Sequence, residues 1–158
     1  MTTSQERELP DDVYAGVQQL CAAGDAAADR SDFQEAIGLY NRALALLPSP
    51  PTEWEAATWI YAAIGDVYFY MRDLRAALAA FDSAMRSPDA IGNPFLHLRR
   101  GQILFDMGEE QKAADELTRA YMSEGEEIFK SENAKYLAYL KNVLRPAATN
   151  KSAENEEK

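Results

Sequence analysis

The stretch 65–84, GDVYFYMRDLRAALAAFDSA, contains the spacing that decides the fold. Gly65 is followed twelve residues later by Ala77, four later by Phe81 and three later by Ala84. The same spacing recurs in two further sets: Gly24, Ala36, Tyr40 and Ala43, and then Gly101, Ala113, Leu117 and Ala120. Small residues at fixed offsets let two helices approach closely, and we expect the large residue to fill the groove between neighbouring helix pairs. The period predicts a stacked helical array that works by binding something.

Helix-start signals divide the chain into elements. Ser31 with Gln34 and Thr52 with Glu55 have the spacing of capping boxes. Asp73, and Asn93 followed by Pro94, predict two further starts. With the apolar residues at helical spacing, these signals predict helices over about 11–29, 33–47, 54–71, 74–85, 94–107, 110–123 and 136–144.

These helices predict an all-α fold of three helix pairs followed by a C-terminal capping helix. The last helix has one apolar stripe, which suits the end of an open array; its residues are Tyr136, Leu137, Leu140, Val143 and Leu144. We expect residues 1–10 to be a flexible N-terminal arm, 11–145 to be the repeat domain and 146–158 to be a disordered polar tail.

Composition limits the classes of partner. The 158 residues include 26 acidic and 16 basic side chains, which give a formal net charge of −10. This sign disfavours nucleic acid, because affinity for phosphates comes mostly from Lys and Arg. It also disfavours an anionic membrane surface and favours a basic protein partner.

Cysteine content and hydropathy indicate the compartment. Cys21 is the only cysteine of the chain, so no intramolecular disulfide can form. The N-terminal residues lack the apolar core of a signal peptide, and no apolar run approaches the ~18 residues that span a bilayer. We therefore expect a cytoplasmic protein.

The three copies resemble the tetratricopeptide repeat, a family with a period of ~34 residues. The large residue that this pattern places four positions before the glycine is Leu20, Tyr61 and then His97. Pro48 ends the first copy where the pattern has a proline, Pro88 comes one residue early in the second, and Gly125 stands there in the third. Successive glycines are 41 and 36 residues apart, and the likeness covers roughly residues 17–127.

The resemblance implies a right-handed α-solenoid in which the first helix of each repeat lines a concave groove. The family's groove positions, carried over by phase, are Gln18, Cys21, Asp25, Asp29, Trp59, Asp66, Phe69, Tyr70, Phe95, Arg99, Gln102, Phe105 and Asp106. This set is aromatic and acidic. Because only Arg99 is basic, the set disfavours the members of the family that grip a C-terminal carboxylate with lysines and asparagines.

Three functions follow from this resemblance. Short acidic proteins with three such repeats resemble class II chaperones of bacterial type III secretion, and 94–108 is loosely similar to their last repeat. The stretch 125–141 looks like the end of bacterial repeat proteins that are partners of polymorphic toxins. An immunity-type inhibitor of a basic toxin is the first hypothesis, a secretion chaperone is the second, and a generic scaffold is the third. A monomer or a weak homodimer fits all three, and the loop 48–54 is a second candidate contact.

No catalytic, metal or cofactor pattern accompanies the repeats. His97, the only histidine, has no serine or cysteine partner in a recognisable arrangement, and its place in the repeat predicts packing. Cys21 has no basic cluster nearby that would lower its pKa, so it is expected to be a small apolar filler. One His and one Cys exclude the usual zinc patterns. The sequence predicts a non-catalytic protein without cofactor or metal.

Overall fold

A computed structural model describes residues 8–146, which form seven α-helices, two short 3-10 turns and no strand. The helices are α1 (Asp11–Asp29), α2 (Phe33–Leu46), α3 (Glu55–Tyr70), α4 (Leu74–Met85), α5 (Pro94–Asp106), α6 (Glu110–Glu124) and α7 (Ala134–Leu144). The 3-10 turns are Pro51–Glu53 and Gly125–Phe129. α1 pairs with α2, α3 with α4 and α5 with α6, and each pair packs on the next. The all-α solenoid predicted from the repeat spacing is confirmed.

The repeated spacing produces one contact three times. A Cβ atom on Gly24 would lie 2.6 Å from the Tyr40 ring, and one on Gly101 would lie 2.7 Å from the Leu117 side chain. The same overlap would occur between Gly65 and the ring of Phe81. The large residue therefore packs on the glycine of its own helix pair, and Phe81 also lies in one core cluster with Leu96 and Ile103 of the next pair. The alanines of the spacing are fully buried, which lets the paired backbones come close.

The turn inside each pair also has one geometry. Ser31, Arg72 and Gly108 have positive φ angles of 61°, 63° and 83°. The N–H of the following residue then donates to a carbonyl five residues back, from Asp32 to Ala27 at 2.9 Å in the first turn. This is the bond that closes a Schellman motif and satisfies a carbonyl left over at the helix end.

Two of the four expected helix starts are confirmed. The Asp73 carboxylate accepts from the Ala76 N–H at 3.2 Å, and the Asn93 side chain accepts from the Phe95 N–H at 3.0 Å. Both side chains satisfy amide donors that have no partner within the first turn of a helix.

The two expected capping boxes are wrong. Ser31 lies in the left-handed turn, so Asp32 precedes α2 instead. Thr52 lies in the 3-10 turn that Pro51 begins, and Trp54 precedes α3. In each case the backbone that the turn requires differs from the extended backbone of a capping residue.

The core runs along the whole stack and ends on residues 125–144, the C-terminal segment, which contains the 3-10 turn Gly125–Phe129 and α7. Phe129, Tyr136 and Leu140 are buried against Leu98 and Leu117 of the third pair. At the other end, the side chain of Leu9 packs on the core of the first pair. Most of the expected arm, 1–7, and nearly all of the expected tail, 147–158, lie outside the described residues.

Candidate functional site

Three groove residues form a stripe on α3. Trp59, Asp66 and Tyr70 are seven and four residues apart, which places them on one side of a helix. The side chains of Ile64 and Val67 face the core, while Trp59 is 50% and Tyr70 61% exposed. Exposed aromatic residues of this size are the type that dominates protein-binding surfaces.

The equivalent positions on α1 carry acids. Asp25 and Asp29 are exposed at the positions that Asp66 and Tyr70 occupy on α3, and Gln18 is exposed at the position of Trp59. We call six residues of these two helices the open half: the exposed Gln18, Asp25, Asp29, Trp59 and Tyr70, and the half-buried Asp66. Its chemistry is aromatic on α3 and anionic on α1.

Asp25 is fixed by the residue that fills the first glycine contact. The Tyr40 hydroxyl donates to its Oδ1 at 2.6 Å. Burial, followed by this hydrogen bond and the negative charge of Asp25, raises the pKa of Tyr40. Burial and then Asp25 also raise the pKa of the Cys21 thiol. The thiol stays protonated at neutral pH, which agrees with a filler role.

Arg99 is the centre of a network that joins three elements. Its Nε donates to Asp66 Oδ1 at 2.7 Å, and its terminal nitrogen NH1 donates to Gln102 at 2.8 Å and to Glu132 at 3.3 Å. The Arg99 side chain is only 14% exposed. Burial opposes its charge, but the carboxylates of Asp66 and Glu132 outweigh burial and raise the pKa of Arg99. Burial also raises the pKa of Asp66, although the Arg99 charge opposes this rise.

Phe69 lies beneath this network. Its ring is buried in the core between the second and third pairs, 4.8 Å from the Arg99 guanidinium carbon. The same guanidinium lies 5.6 Å from the Tyr70 ring. Arg99 therefore covers Phe69 and leaves Tyr70 exposed, so of these two adjacent aromatic residues only Tyr70 faces solvent.

Asp106 is engaged inside the molecule. Its side chain is 2% exposed; Oδ2 accepts from Arg72 at 2.9 Å and from the Tyr136 hydroxyl at 2.8 Å. Lys135 Nζ lies 2.9 Å from Oδ1. Burial would raise the pKa of Asp106, but the three donors outweigh burial and hold this pKa below its usual range.

The C-terminal segment thus covers the inner side of α5. Phe105 packs against the rings of Tyr136 and Tyr139, with centroids 5.6 and 4.9 Å away, and Gln102 is fully buried. We call the covered set the closed half: Arg99, Gln102, Phe105 and Asp106. Phe95, at the start of α5, remains exposed. The predicted groove residues are therefore divided into an open half, a closed half, exposed Phe95, buried Phe69 and half-buried Cys21.

Sequence reasoning missed the residues that close this half, namely Arg72, Glu132, Lys135 and Tyr136. The segment that carries three of them lacks the spacing of glycine and alanine, so the repeat phase does not place it. The partial signal was the stripe of the last helix, which indicated a cap but not what the cap covers.

His97 lies in a separate, buried network. Its Nδ1 is 2.7 Å from Glu116 Oε2, and its Nε2 accepts from the Gly92 N–H at 3.2 Å. These contacts make Nε2 the acceptor and Nδ1 the donor of the ring. Glu116 also accepts from Arg100 at 2.7 Å. The imidazole is buried, in keeping with the packing role predicted for it.

Two further searches of residues 8–146 concern metals and membranes. No three His, Cys, Asp or Glu side chains of this part of the chain are arranged to hold a metal ion. None of its helices combines the length and the apolar character needed to cross a bilayer.

A family model for the tetratricopeptide repeat matches residues 62–127, which include most of α3 and all of α4, α5 and α6. The first pair lies outside this match but has the same glycine contact and the same turn. No curated protein sequence matches the chain.

Solved structures of similar fold cover nearly the whole chain. A tetratricopeptide repeat domain of Arabidopsis OM64 has a TM-score of 0.65 and 17% identity, over 84% of this chain and 97% of that one. The N-terminal domain of C. elegans stress-induced protein-1 has a TM-score of 0.64 and 16% identity, over 86% and 100%. The Yersinia enterocolitica secretion chaperone SycD, solved with a peptide of the translocator YopD, has 0.65 and 14%, over 87% and 96%. At these identities the likeness is one of fold.

Proposed function

We propose that this chain, whose residues 62–127 match the tetratricopeptide repeat model, is a non-catalytic module that binds a basic protein segment on the open half. The observation that carries this proposal is the exposure of Trp59 and Tyr70 beside the anionic side chains of α1. Large aromatic side chains lose little conformational entropy on binding and bury much area, so they supply affinity. The carboxylates supply charge complementarity and rapid association.

Charge pairing supports a basic ligand. Arg72, Arg99 and Lys135 all make ion pairs with the carboxylates of Asp66, Asp106 and Glu132. Among the described residues, no Lys or Arg makes an ion pair with Asp25 or Asp29. Negative charge on the open half is therefore concentrated on α1, where it would meet cationic side chains of a ligand.

Of the specific uses, we favour a chaperone that holds an extended segment of another protein. The closed half leaves a binding face on two helices, which suits a segment better than a broad folded surface. SycD, which shares the fold, was solved with a peptide of its translocator. A cytoplasmic location and a monomer or weak homodimer belong to the same proposal.

An immunity-type inhibitor of a basic toxin is the second candidate. The observation that favours it is the strong exposure of Ile91 and Phe95 near the start of α5, outside the open half. A folded toxin would use such residues in a wide interface, whereas a short segment on the open half would not.

The proposal is tested by selecting peptides from a random displayed library on the immobilised chain. We expect enrichment of peptides with Lys or Arg near aromatic or aliphatic residues, and loss of their binding in Trp59→Ala/Tyr70→Ala. Met122→Ala, which truncates a large apolar residue on α6 that is more exposed still, is the control. Enrichment of acidic peptides, or unchanged binding in the double variant, would refute the proposal. Selection of no peptide would count for a scaffold without a peptide ligand.

The two uses are separated by a second double variant. Ile91→Ala/Phe95→Ala should leave binding of a selected peptide within about twofold of wild type under the chaperone hypothesis. An inhibitor would lose affinity for its toxin in both double variants. Substitution of Phe105, a third aromatic residue of the predicted groove, would not serve in this comparison. Its ring packs against Tyr136 and Tyr139, so the change would also disturb the packing of α7.

A further inference from the structure

Glu132 lies between the 3-10 turn Gly125–Phe129 and α7, and its carboxylate holds two side chains of α5. Its Oε2 accepts from Gln102 Nε2 at 2.9 Å and from Arg99 NH1 at 3.3 Å. Gln102 also accepts from Arg99 through its own carbonyl oxygen at 2.8 Å. The three side chains therefore form a closed ring of hydrogen bonds in which each member fixes the other two.

Arg99 carries this arrangement to α3. A guanidinium is planar and presents its donors in a rigid fork, so several acceptors in different directions fix its plane. Asp66 holds the Nε side at 2.7 Å, while Glu132 and Gln102 hold the same terminal nitrogen. The plane so fixed lies over Phe69 and beside Tyr70. Tyr70 is one of the two exposed aromatic residues of the open half.

We propose that Glu132 is a positioning residue for the open half, which it controls through Arg99 without touching the ligand. It keeps the guanidinium against Asp66 and beside the ring of Tyr70. Without Glu132, Arg99 loses one of its two anionic partners. The same change removes the carboxylate that holds NH1 towards the C-terminal segment. The guanidinium is then free to move towards solvent over α3, where its positive charge repels a basic ligand. The C-terminal segment thereby sets both the shape and the charge of the face.

The inference rests on the proposed function for its effect on affinity, but its effect on Arg99 and Tyr70 can be measured without a ligand. The variants are Glu132→Ala, which removes the acceptor, and Glu132→Gln, which keeps an acceptor oxygen. Glu127→Ala is the matched control, because Glu127 is an exposed acid in the same segment whose ion-pair partner within residues 8–146 is the exposed Lys130. NMR signals of the Arg99 Nε–H and the Tyr70 ring report the network in the free protein.

We expect Glu132→Ala to shift or broaden both signals, Glu132→Gln to restore them in part, and Glu127→Ala to leave them unchanged. Binding of a selected basic peptide should weaken about two- to thirtyfold in Glu132→Ala, the range in which residues outside a site change affinity. Glu132→Gln should weaken it less. Should Glu132→Ala unfold, Glu132→Asp, which shortens the side chain and keeps the charge, serves in its place.

Unchanged Arg99 and Tyr70 signals in a folded Glu132→Ala would overturn the inference. Altered signals with unchanged affinity would overturn the claim that Glu132 sets the binding face. If the wild-type chain binds no basic peptide, the proposed function fails, and the NMR signals still decide whether Glu132 positions Arg99.

Discussion

Gly65 shows how strictly single positions are determined in this molecule. The ring of Phe81 occupies the place where any larger residue would put its Cβ, and Gly24 and Gly101 repeat this with Tyr40 and Leu117. The glycines are needed here for close approach, since all three lie inside helices and away from positive φ.

Gly65→Ala is therefore expected to destabilise the protein by about 1–2 kcal/mol, since overpacking of a tight contact costs about 1–3 kcal/mol and the helix preference of alanine offsets about 0.5–1 kcal/mol of this. Urea unfolding followed by circular dichroism measures the change. Gly38→Ala is the matched control: it lies in α2, where the added Cβ would meet no atom within 4 Å beyond its own chain neighbours and helix backbone, and it should stabilise by about 0.5–1 kcal/mol. Equal effects of the two substitutions would contradict the packing argument.

Asp106 provides a prediction that depends on pH. Because its folded-state pKa is lowered, its carboxylate stabilises the fold above its unfolded pKa of ~3.9, and this stability is lost as pH falls through the folded pKa. Asp106→Asn should cost about 2 kcal/mol at pH 7, the scale of a hydrogen bond to a charged group. The difference from wild type should shrink as pH falls below about 4.

Unfolding of both proteins at a series of pH values measures this difference. Asp115→Asn, which disrupts an exposed ion pair with Arg119, should change stability by less than about 0.5 kcal/mol at pH 7. A cost for Asp106→Asn that stays constant down to pH 2 would show that the carboxylate charge is not the stabilising feature.

At the scale of the helix pair, the residue spacing explains what the sequence predicted, and the turn between the helices explains what it did not. The spacing of glycine, alanine and a large residue predicted the three pairs because it encodes contacts within one pair. The Ser31 capping box misled because the turn needs a left-handed residue at that place. The preference of serine for the capping position of a helix was overridden by the left-handed turn that joins the two helices of the pair.

Ser31→Gly tests this account of the turn. A left-handed conformation costs a non-glycine residue about 1 kcal/mol, so the substitution should stabilise the protein by roughly that amount. Ser83→Gly, inside α4, should instead destabilise by about 0.5 kcal/mol, because glycine weakens a helix interior relative to serine. Thermal unfolding of the two variants distinguishes them. A lower melting temperature in Ser31→Gly would contradict the account.

In the C-terminal segment, the sequence predicted the apolar contacts but not the polar ones. Its last helix was predicted from an apolar stripe, and Tyr136 and Leu140 of that stripe are buried against the third pair. Its polar residues Glu132 and Lys135 close the inner side of α5 through contacts with residues about 30 positions earlier. Such long-range polar contacts leave no periodic signal, so the sequence did not predict that Arg99, Gln102, Phe105 and Asp106 are covered.

At the scale of the whole molecule, the chain combines a strong negative charge with an exposed aromatic face on α3. Ion pairs with Arg72, Arg99 and Lys135 neutralise the carboxylates of Asp66, Asp106 and Glu132, while those of Asp25 and Asp29 remain without a cation among the described residues. The overall charge of −10 attracts a basic ligand from a distance, and the open half determines where it binds. We therefore expect a ligand to occupy α1 and α3 and to leave α5 covered.

Titration of the isotope-labelled chain with a selected basic peptide tests this claim most directly. The backbone and side-chain NMR signals that shift identify the surface in contact with the peptide. We predict that shifts concentrate at Asp25, Asp29, Trp59 and Tyr70, while signals of Gln102 and Phe105 change little. Shifts concentrated on α2, α4 and α6, or on the closed half with displacement of α7, would contradict it.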